Sequence, residues 1–201
     1  MAANLRTVRG FVKPGYESVR SRMQGFFDKE GWELGSSLVA YVGGEQVVCL
    51  SGGVVETVAH GNGSEEGVPR PYSEHTLQLV ASSTKFISSV CIAMLVDRGL
   101  VSYGDSISSK WPAFAVCGKE HITLAQLMAH QAGLAALDSP LTEKEFESFE
   151  EMGHKLARQE LNWPVPDMRG VDMSRVGILP EHPAPPQGYH GITRDLYASQ
   201  V

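Results

Sequence analysis

The longest apolar segment of the chain predicts its central helix. Between Phe86 and Val96 almost no polar face remains, and a helix that is apolar nearly all round is expected to be buried. Hydroxyl side chains precede this segment, as they do at helix N-termini. Asp97 to Gly99 follow it, and glycine suits the left-handed position that ends a helix. We therefore predict a buried helix over residues 81–99.

The chain before this helix predicts one helix and one β-hairpin. Apolar residues at i, i+4, i+7 and i+8 predict an amphipathic helix over 15–31. Two β-rich runs, 38–42 and 46–50, flank Gly43-Gly44 and predict the hairpin. The remaining predictions here are a surface loop or strand continuation at 51–75 and a short strand at 76–80.

Two capping boxes predict the helices that follow. The box beginning at Thr123 opens a short helix that ends near Gly133, and the box beginning at Thr142 opens a helix to about residue 158. Prolines crowd residues 163–188, which predicts an irregular loop. The last residues, up to Val201, have the pattern of the first turns of a helix.

Composition and charge restrict the classes of function. The chain has 201 residues, of which 42% are hydrophobic and 20% charged, so it can build an ordinary core. The net charge is −6 without a long basic run, which argues against nucleic acid as the main partner. No apolar run reaches the roughly 18 residues of a membrane span, and the N-terminus shows no secretory signal.

The three cysteines indicate the compartment. Cys49, Cys91 and Cys117 are an odd number and fit no metal spacing, so we expect reduced, buried thiols in a cytoplasmic protein. The basic residues at the N-terminus make a mitochondrial location the weaker alternative. No residue pattern indicates a metal or another cofactor.

Ser82 and Lys85 form the candidate catalytic pair. They make the only S-x-x-K in the chain, and residues three apart share a helix face. A serine hydroxyl needs a base within hydrogen-bond reach, and a lysine desolvated by burial can supply it. The helix N-terminus adds a positive dipole end for a developing oxyanion. The alternative is that Ser82 only caps the helix and Lys85 extends to solvent.

Further segments resemble one protein family. Residues 122–134, ITLAQLMAHQAGL, are similar to the signature hT-x-x-x-LLxHxSGL of the serine β-lactamase-like family, in particular its class C-related and penicillin-binding-protein-like esterases. The other matching segments, in chain order, are 43–53, 80–85, 95–100, 111–112, 140–142 and 163–164. The resemblance covers roughly residues 10–200 and implies an α/β fold of α+β type, β-lactamase/transpeptidase-like.

The resemblance also implies residue roles. Ser82 would be the acylated nucleophile, Lys85 would take its proton, and Tyr189, in Tyr189-His190-Gly191, would assist proton transfer to the leaving group. The alternative for Tyr189 is an aromatic core residue. In the family, the histidine at the position of His130 is structural, packing under the site. These roles imply a serine hydrolase that acts on a small-molecule acyl substrate with an ester, amide or β-lactam-like bond.

Two departures from the family pattern affect these expectations. Residues 168–183 resemble an insertion that could displace Tyr189. The family's C-terminal strands, closing helix, third motif and second oxyanion-hole N–H have no counterpart here, so we expect one truncated domain over 1–201. Its parts are a helix and two-stranded hairpin at 10–80, a helical subdomain at 81–160 and the loop or insertion at 163–188.

Truncation has two further consequences. An unpaired outer edge of the hairpin would favour self-association. It also makes a catalytically inactive fragment or pseudoenzyme the alternative function. An unrelated protein with a coincidental S-x-x-K is a minor alternative, and the absence of G-x-S-x-G argues against an α/β-hydrolase.

Overall fold

A computed structural model describes residues 6–29, 33–55, 69–171 and 186–201. The chain divides into two compact units, residues 1–79 and residues 80–201, and each is described by itself. In the first unit the elements are β1 (Arg9–Val12), α1 (Glu17–Phe27), β2 (Gly35–Val42), β3 (Glu45–Val55) and β4 (Arg70–Pro71). In the second they are α2 (Thr84–Asp97), α3 (Leu124–Met128), α4 (Glu143–Glu147), α5 (Phe149–Arg158) and α6 (Thr193–Ala198).

The first unit is an antiparallel sheet with one helix. Strand order is β1-β3-β2, and β4 pairs with the end of β3 through Val54 opposite Pro71. The predicted hairpin around Gly43-Gly44 is confirmed. The predicted helix at 15–31 is present as the shorter α1, which packs Met23 and Phe27 on the sheet.

The prediction of only two strands is wrong, because β1 and β4 also pair with β3. A four-residue and a two-residue strand carry too little periodicity to be found in a sequence. Residues 51–55 continue β3, and residues 56–68 lie outside the described residues. The short strand predicted at 76–80 is also wrong, since these residues form no ladder and Leu77 and Leu79 are exposed.

The second unit has its own core, built around the helices that follow α2. The buried side chains of this core include Ile107, Phe114, Ile122, Leu127, Leu134, Leu156 and Tyr197. A smaller cluster joins α2 to it, in which Ile92 packs with Val101 and Leu124. The position of α2 is therefore fixed through one stripe of its surface.

The prediction that α2 is buried is wrong. Ile92 is its only fully buried residue, whereas Phe86 is 70% and Ile87 59% exposed. On the rest of the α2 surface the apolar side chains are exposed, because no other described residues cover them. For the same reason Cys91 is exposed. Cys117 is exposed and Cys49 half-buried, so the expectation of buried thiols is also wrong.

The predicted end of α2 at Gly99 is confirmed. Gly99 has a φ of +68°, and its N–H donates to Val96 while that of Leu100 donates to Leu95. These two bonds form the Schellman motif that satisfies the last carbonyls of α2.

Both capping boxes are present, at Thr123 with Gln126 and at Thr142 with Glu145. The helix after Thr142 is divided at Ser148, whose side chain accepts the Glu151 N–H and caps α5. The helix after Thr123 ends at Met128, so its predicted end near Gly133 is wrong. The irregular loop predicted at 163–188 is irregular at 163–171 and 186–188, and residues 172–185 lie outside the described residues.

Candidate active site

Ser82 lies in a sharp turn ahead of α2. Residues Ala81–Ser83 form a 3-10 turn, and Ala81 has a φ of +44°. The left-handed region costs a residue with a Cβ about 1–2 kcal/mol, so this turn is strained next to the candidate nucleophile. The Ser82 side chain is exposed and bonds to no residue that the structure describes. Since α2 has no side-chain cap, the alternative that Ser82 caps it is wrong.

Lys85, one turn further along, points away from solvent. Only 13% of its side chain is exposed. Its Nζ donates to the carbonyl oxygen of Gly191 at 2.5 Å and lies 3.6 Å from Oδ2 of Asp195. The alternative in which Lys85 extends to solvent is therefore wrong. The structure brings Lys85 to a backbone segment that is 106 positions away in the sequence.

Tyr189 lies beside Lys85. The lysine Nζ is 5.6 Å from the centroid of the tyrosine ring, a distance at which a cation interacts with the ring face. Tyr189 is 60% exposed, so the alternative of an aromatic core residue is wrong. Residues 172–183 of the predicted insertion lie outside the described residues, and Tyr189 lies close to Lys85.

The backbone around Tyr189 is fixed by the loop that follows α3. The Gly188 N–H donates to the His130 carbonyl at 3.1 Å. On the other side of Tyr189, the Thr193 hydroxyl donates to the Leu134 carbonyl at 2.6 Å. The two motifs found separately in the sequence, 122–134 and 189–191, thus form one structure.

Two histidines complete this connection. The His190 N–H donates to Nδ1 of His130 at 3.0 Å, and Nε2 of His190 accepts the Leu134 N–H at 3.0 Å. Nδ1 of His190 lies 2.5 Å from the Gly188 carbonyl and must donate to it. Each ring thus uses one nitrogen as an acceptor, which requires a neutral imidazole.

Burial favours the same neutral state. Burial lowers the pKa of His190 below 6.5, and the bond to the Gly188 carbonyl opposes that shift. Burial also lowers the pKa of His130, with further lowering from His190, Arg194 and Lys85. Both rings therefore support the Tyr189 segment as neutral hydrogen-bonding groups.

A close contact fixes Gly188 as well. A Cβ at this position would lie 2.5 Å from Cη2 of Trp163. Trp163 in turn meets the His190 ring edge-on, with the centroids 5.7 Å apart. Only glycine fits between the tryptophan and the segment that carries Tyr189.

Sequence reasoning missed three polar residues at this site. Asp195 accepts hydrogen bonds from the Ser88 hydroxyl at 3.0 Å and from Nε of Arg194 at 2.8 Å. Nη2 of Arg194 donates to the Lys85 carbonyl at 2.8 Å and to the Ser88 hydroxyl at 2.9 Å. Ser88 follows Lys85 by three positions, so it shares that helix face, and this spacing was the one available signal.

Two other kinds of site are absent from the described residues. Among them, no group of three or more His, Cys, Asp or Glu side chains could hold a metal ion. No helix in the described ranges is long and apolar enough to cross a membrane.

The chain is similar to proteins of one family. Residues 9–170 match the sequence profile of the family described as Beta-lactamase. The esterase/β-lactamase LipL of Mycobacterium tuberculosis (strain ATCC 25618 / H37Rv) is 38% identical over 95 residues, which are 47% of this chain and 22% of LipL.

Solved structures show the same relationship. A family VIII carboxylesterase has a TM-score of 0.71 at 26% identity, and a penicillin-binding protein homolog from Caulobacter crescentus has 0.73 at 28%. In both cases the match covers 95% of this chain and 44% of the other. EstA from Arthrobacter nitroguajacolicus Rue61a has 0.64 at 25%, covering 93% and 41%. The chain thus spans less than half the length of these structures, and their likeness confirms the predicted class of fold.

Proposed function

Because the chain belongs to the Beta-lactamase family, as its motifs predicted, we propose that it is a serine hydrolase that forms an acyl-enzyme on Ser82. Its substrate would be a small molecule with an ester, amide or β-lactam-like carbonyl. Relatives described as an esterase/β-lactamase and a carboxylesterase support hydrolysis as the class of reaction. The cytoplasmic location stays a prediction.

The proposed reaction has two halves. Neutral Lys85 takes the proton of the Ser82 hydroxyl while Oγ bonds to the carbonyl carbon, which becomes tetrahedral. The intermediate then collapses, the bond to the leaving group breaks, and Tyr189 passes a proton to that group while it regains one from Lys85. Water then attacks the carbonyl carbon of the acyl group and gives up a proton to Lys85. The bond from that carbon to Ser82 Oγ breaks, Oγ regains a proton, and the acid is released.

One observation carries this proposal: the lysine of the S-x-x-K motif and the tyrosine of the Tyr189-His190-Gly191 motif lie together. The distance from Nζ to the ring centroid is 5.6 Å, and the Gly191 carbonyl holds Nζ in place. An exposed serine that caps no helix stands one turn before that lysine. A surface lysine or a purely structural tyrosine would not require this convergence.

The alternative is a catalytically inactive fragment or pseudoenzyme. One observation favours it: Nζ of Lys85 donates to the Gly191 carbonyl and lies 3.6 Å from Oδ2 of Asp195, and the Ser82 hydroxyl makes no hydrogen bond to it. An active protein must therefore bring the Ser82 hydroxyl within hydrogen-bond reach of Nζ when substrate binds.

Labelling by a fluorophosphonate distinguishes the two functions. Attack by Ser82 Oγ on phosphorus expels fluoride and leaves a stable adduct that intact-mass measurement and peptide mapping locate. We expect one adduct, on Ser82, absent from Ser82→Ala and slowed at least about 100-fold in Lys85→Ala. Ser83→Ala is the matched control and retains labelling. A folded wild-type chain that stays unlabelled, or a Ser82→Ala variant that labels equally, contradicts the proposal.

Two chromogenic probes then address the substrate. A p-nitrophenyl ester reports hydrolysis of an ester, and nitrocefin reports opening of a β-lactam ring. Turnover of only one probe assigns the class of carbonyl, since both react through the same nucleophile. Ser82→Ala must abolish either signal.

A further inference from the structure

We propose that Asp195 and Arg194 act as opposed positioning residues for Lys85, the first favouring its ammonium form and the second its neutral amine. This inference rests on the proposed function for its catalytic meaning. It concerns residues that neither the motifs nor the likeness to relatives assigns to the site.

Asp195 and Arg194 contact two different parts of Lys85. The Asp195 carboxylate faces the amine, with Oδ2 at 3.6 Å from Nζ. The Arg194 guanidinium faces the backbone, with Nη2 at 2.8 Å from the Lys85 carbonyl. Ser88 joins the two, since its hydroxyl donates to Asp195 and accepts from Arg194.

The charges in this network do not cancel. One carboxylate serves two cations, because Oδ1 of Asp195 also accepts from Arg194 at 2.8 Å. The exposed fractions of the Lys85, Arg194 and Asp195 side chains are 13%, 6% and 30%, so solvent screens the cations weakly. Removing the carboxylate would leave the lysine and the arginine without the counter-charge they share, a state that costs free energy.

Two other groups face Lys85 from neighbouring elements. The Tyr189 ring presents its face to Nζ, and His130 lies close enough for Lys85 and Arg194 to contribute to its lowered pKa. His130 is therefore neutral near pH 7 and adds no charge of its own. Within the described residues the balance at Lys85 is set mainly by Asp195 against Arg194.

This balance predicts opposite effects of two substitutions. Asp195→Asn removes the charge that stabilises the ammonium, so Lys85 loses its proton at a lower pH. Arg194→Gln removes the repelling cation, so Lys85 holds its proton to a higher pH. Asp195 lies 3.6 Å from Nζ, and a charged group that close shifts a titration by about one pH unit or more. A residue that only stabilised the fold would not produce shifts of opposite sign.

The experiment is a direct titration of Lys85 in the whole chain. Lysine labelled with ¹³C at Cε is incorporated, the Lys85 signal is identified by its absence in Lys85→Arg, and its chemical shift is followed with pH. Asp97→Asn and Arg98→Gln are the matched controls. They change the net charge by the same amounts as the two test variants, but at the far end of α2, about 18 Å from Lys85.

We expect the midpoint of the Lys85 titration to fall by about one pH unit in Asp195→Asn and to rise in Arg194→Gln. Both controls should leave the midpoint unchanged. Ser88→Ala, which removes no charge, moves the midpoint less than either test variant. Equal midpoints, shifts of the same sign, or equal shifts in the controls would overturn the proposal. If Arg194→Gln does not fold, Arg194→Met removes the same charge while keeping a long side chain, and it must raise the midpoint.

The pH dependence of Ser82 labelling separates this inference from the proposed function. If labelling occurs, the acidic limb of its rate moves to lower pH in Asp195→Asn, because neutral Lys85 is the base. If wild-type Ser82 is never labelled, the proposed function fails while the titration still decides the inference. If labelling occurs and the titration midpoints do not move, the inference alone is wrong.

Discussion

The backbone N–H of His190 donates a 3.0 Å hydrogen bond to Nδ1 of His130, and this bond joins the two sequence motifs of the site. A proton on that nitrogen would remove the acceptor. A proton on Nε2 of His190 would do the same to the bond from Leu134. The segment carrying Tyr189 is therefore held by two hydrogen-bond acceptors that are lost when the rings are protonated.

We predict that the protein loses stability as the pH falls below about 6.5. The pKa of each ring is lower in the fold than its ordinary 6.5, so the unfolded chain binds more protons in this range. The free energy of unfolding must then decrease with decreasing pH until the folded pKa values are passed. Urea denaturation between about pH 7.5 and about pH 5 measures the slope.

His190→Asn should flatten this slope, since it removes one of the titrating rings. His154→Asn is the control, because His154 is exposed on α5 and makes no such bond. A wild-type stability that stays constant from about pH 7.5 to about pH 5 would contradict the prediction.

Gly188→Ala tests the fit beneath Tyr189. The added Cβ would meet Trp163 at 2.5 Å, so the tryptophan or the backbone must move. Overpacking of this kind costs about 1–3 kcal/mol, and it should also slow Ser82 labelling. Thermal unfolding and labelling rates measure the two effects.

Gly191→Ala provides the comparison for Gly188→Ala. There the nearest atom to a new Cβ is Cε1 of Tyr189 at 3.5 Å, an ordinary contact distance. This variant should lose little stability and keep the carbonyl that Lys85 uses. Equal losses from the two variants would show that Trp163 does not set the position of the segment.

Ala81→Gly should stabilise the protein. The left-handed φ of Ala81 costs about 1–2 kcal/mol, whereas glycine loses only about 0.5–1 kcal/mol through its extra freedom when unfolded. We expect a net gain of about 0.5–1 kcal/mol in the free energy of unfolding, measured by denaturation. Slower labelling of Ser82 would accompany it, because the turn that presents the serine becomes less rigid.

Ala93→Gly in the middle of α2 should have the opposite sign. Glycine within a helix costs about 1 kcal/mol relative to alanine, and Ala93 is exposed, so no packing is lost. If both alanine-to-glycine variants destabilise the chain, the conformation of Ala81 is not strained.

The outer edge of β2 predicts self-association of this chain. No described strand pairs with that edge, and β2 has no charged residue or proline to protect it. Its exposed apolar residues include Val39 and Tyr41, at 50% and 61%. Light scattering after size-exclusion chromatography should give a mass that increases with concentration.

Val39→Lys should shift this protein toward the monomer, because a charge on an edge strand opposes pairing. Val116→Lys, an exposed substitution outside the sheet, should not. A wild-type mass of 21.8 kDa at every concentration would refute self-association.

Local patterns predicted most of the helices and the hairpin, because caps and turns are chosen by neighbouring residues. The capping boxes at Thr123 and Thr142 and the end of α2 at Gly99 are examples. Burial of α2 could not be predicted in this way. An apolar surface is covered only if another segment packs on it, and a single sequence does not say which segment that is.

The sequence predicted the motif residues of the candidate site but not the residues that hold them in position. Ser82, Lys85 and Tyr189 came from short patterns and a family resemblance. Arg194 and Asp195 have no local signal, because their partners lie more than a hundred positions earlier in the chain. Lys119 also has no local signal. It is fully buried, and its Nζ donates to the carbonyls of Ala157 and Gln159, which lie 38 and 40 positions later.

The bond from Lys85 to the Gly191 carbonyl also has a consequence for the order of folding. Its two residues are 106 positions apart, and during synthesis α2 leaves the ribosome long before Gly191 does. Closing such a loop is slow compared with forming the helix itself. The turn that carries Ser82 can therefore form early, whereas Lys85 has no acceptor until Gly191 is in place. The candidate site is then assembled among the last parts of its unit.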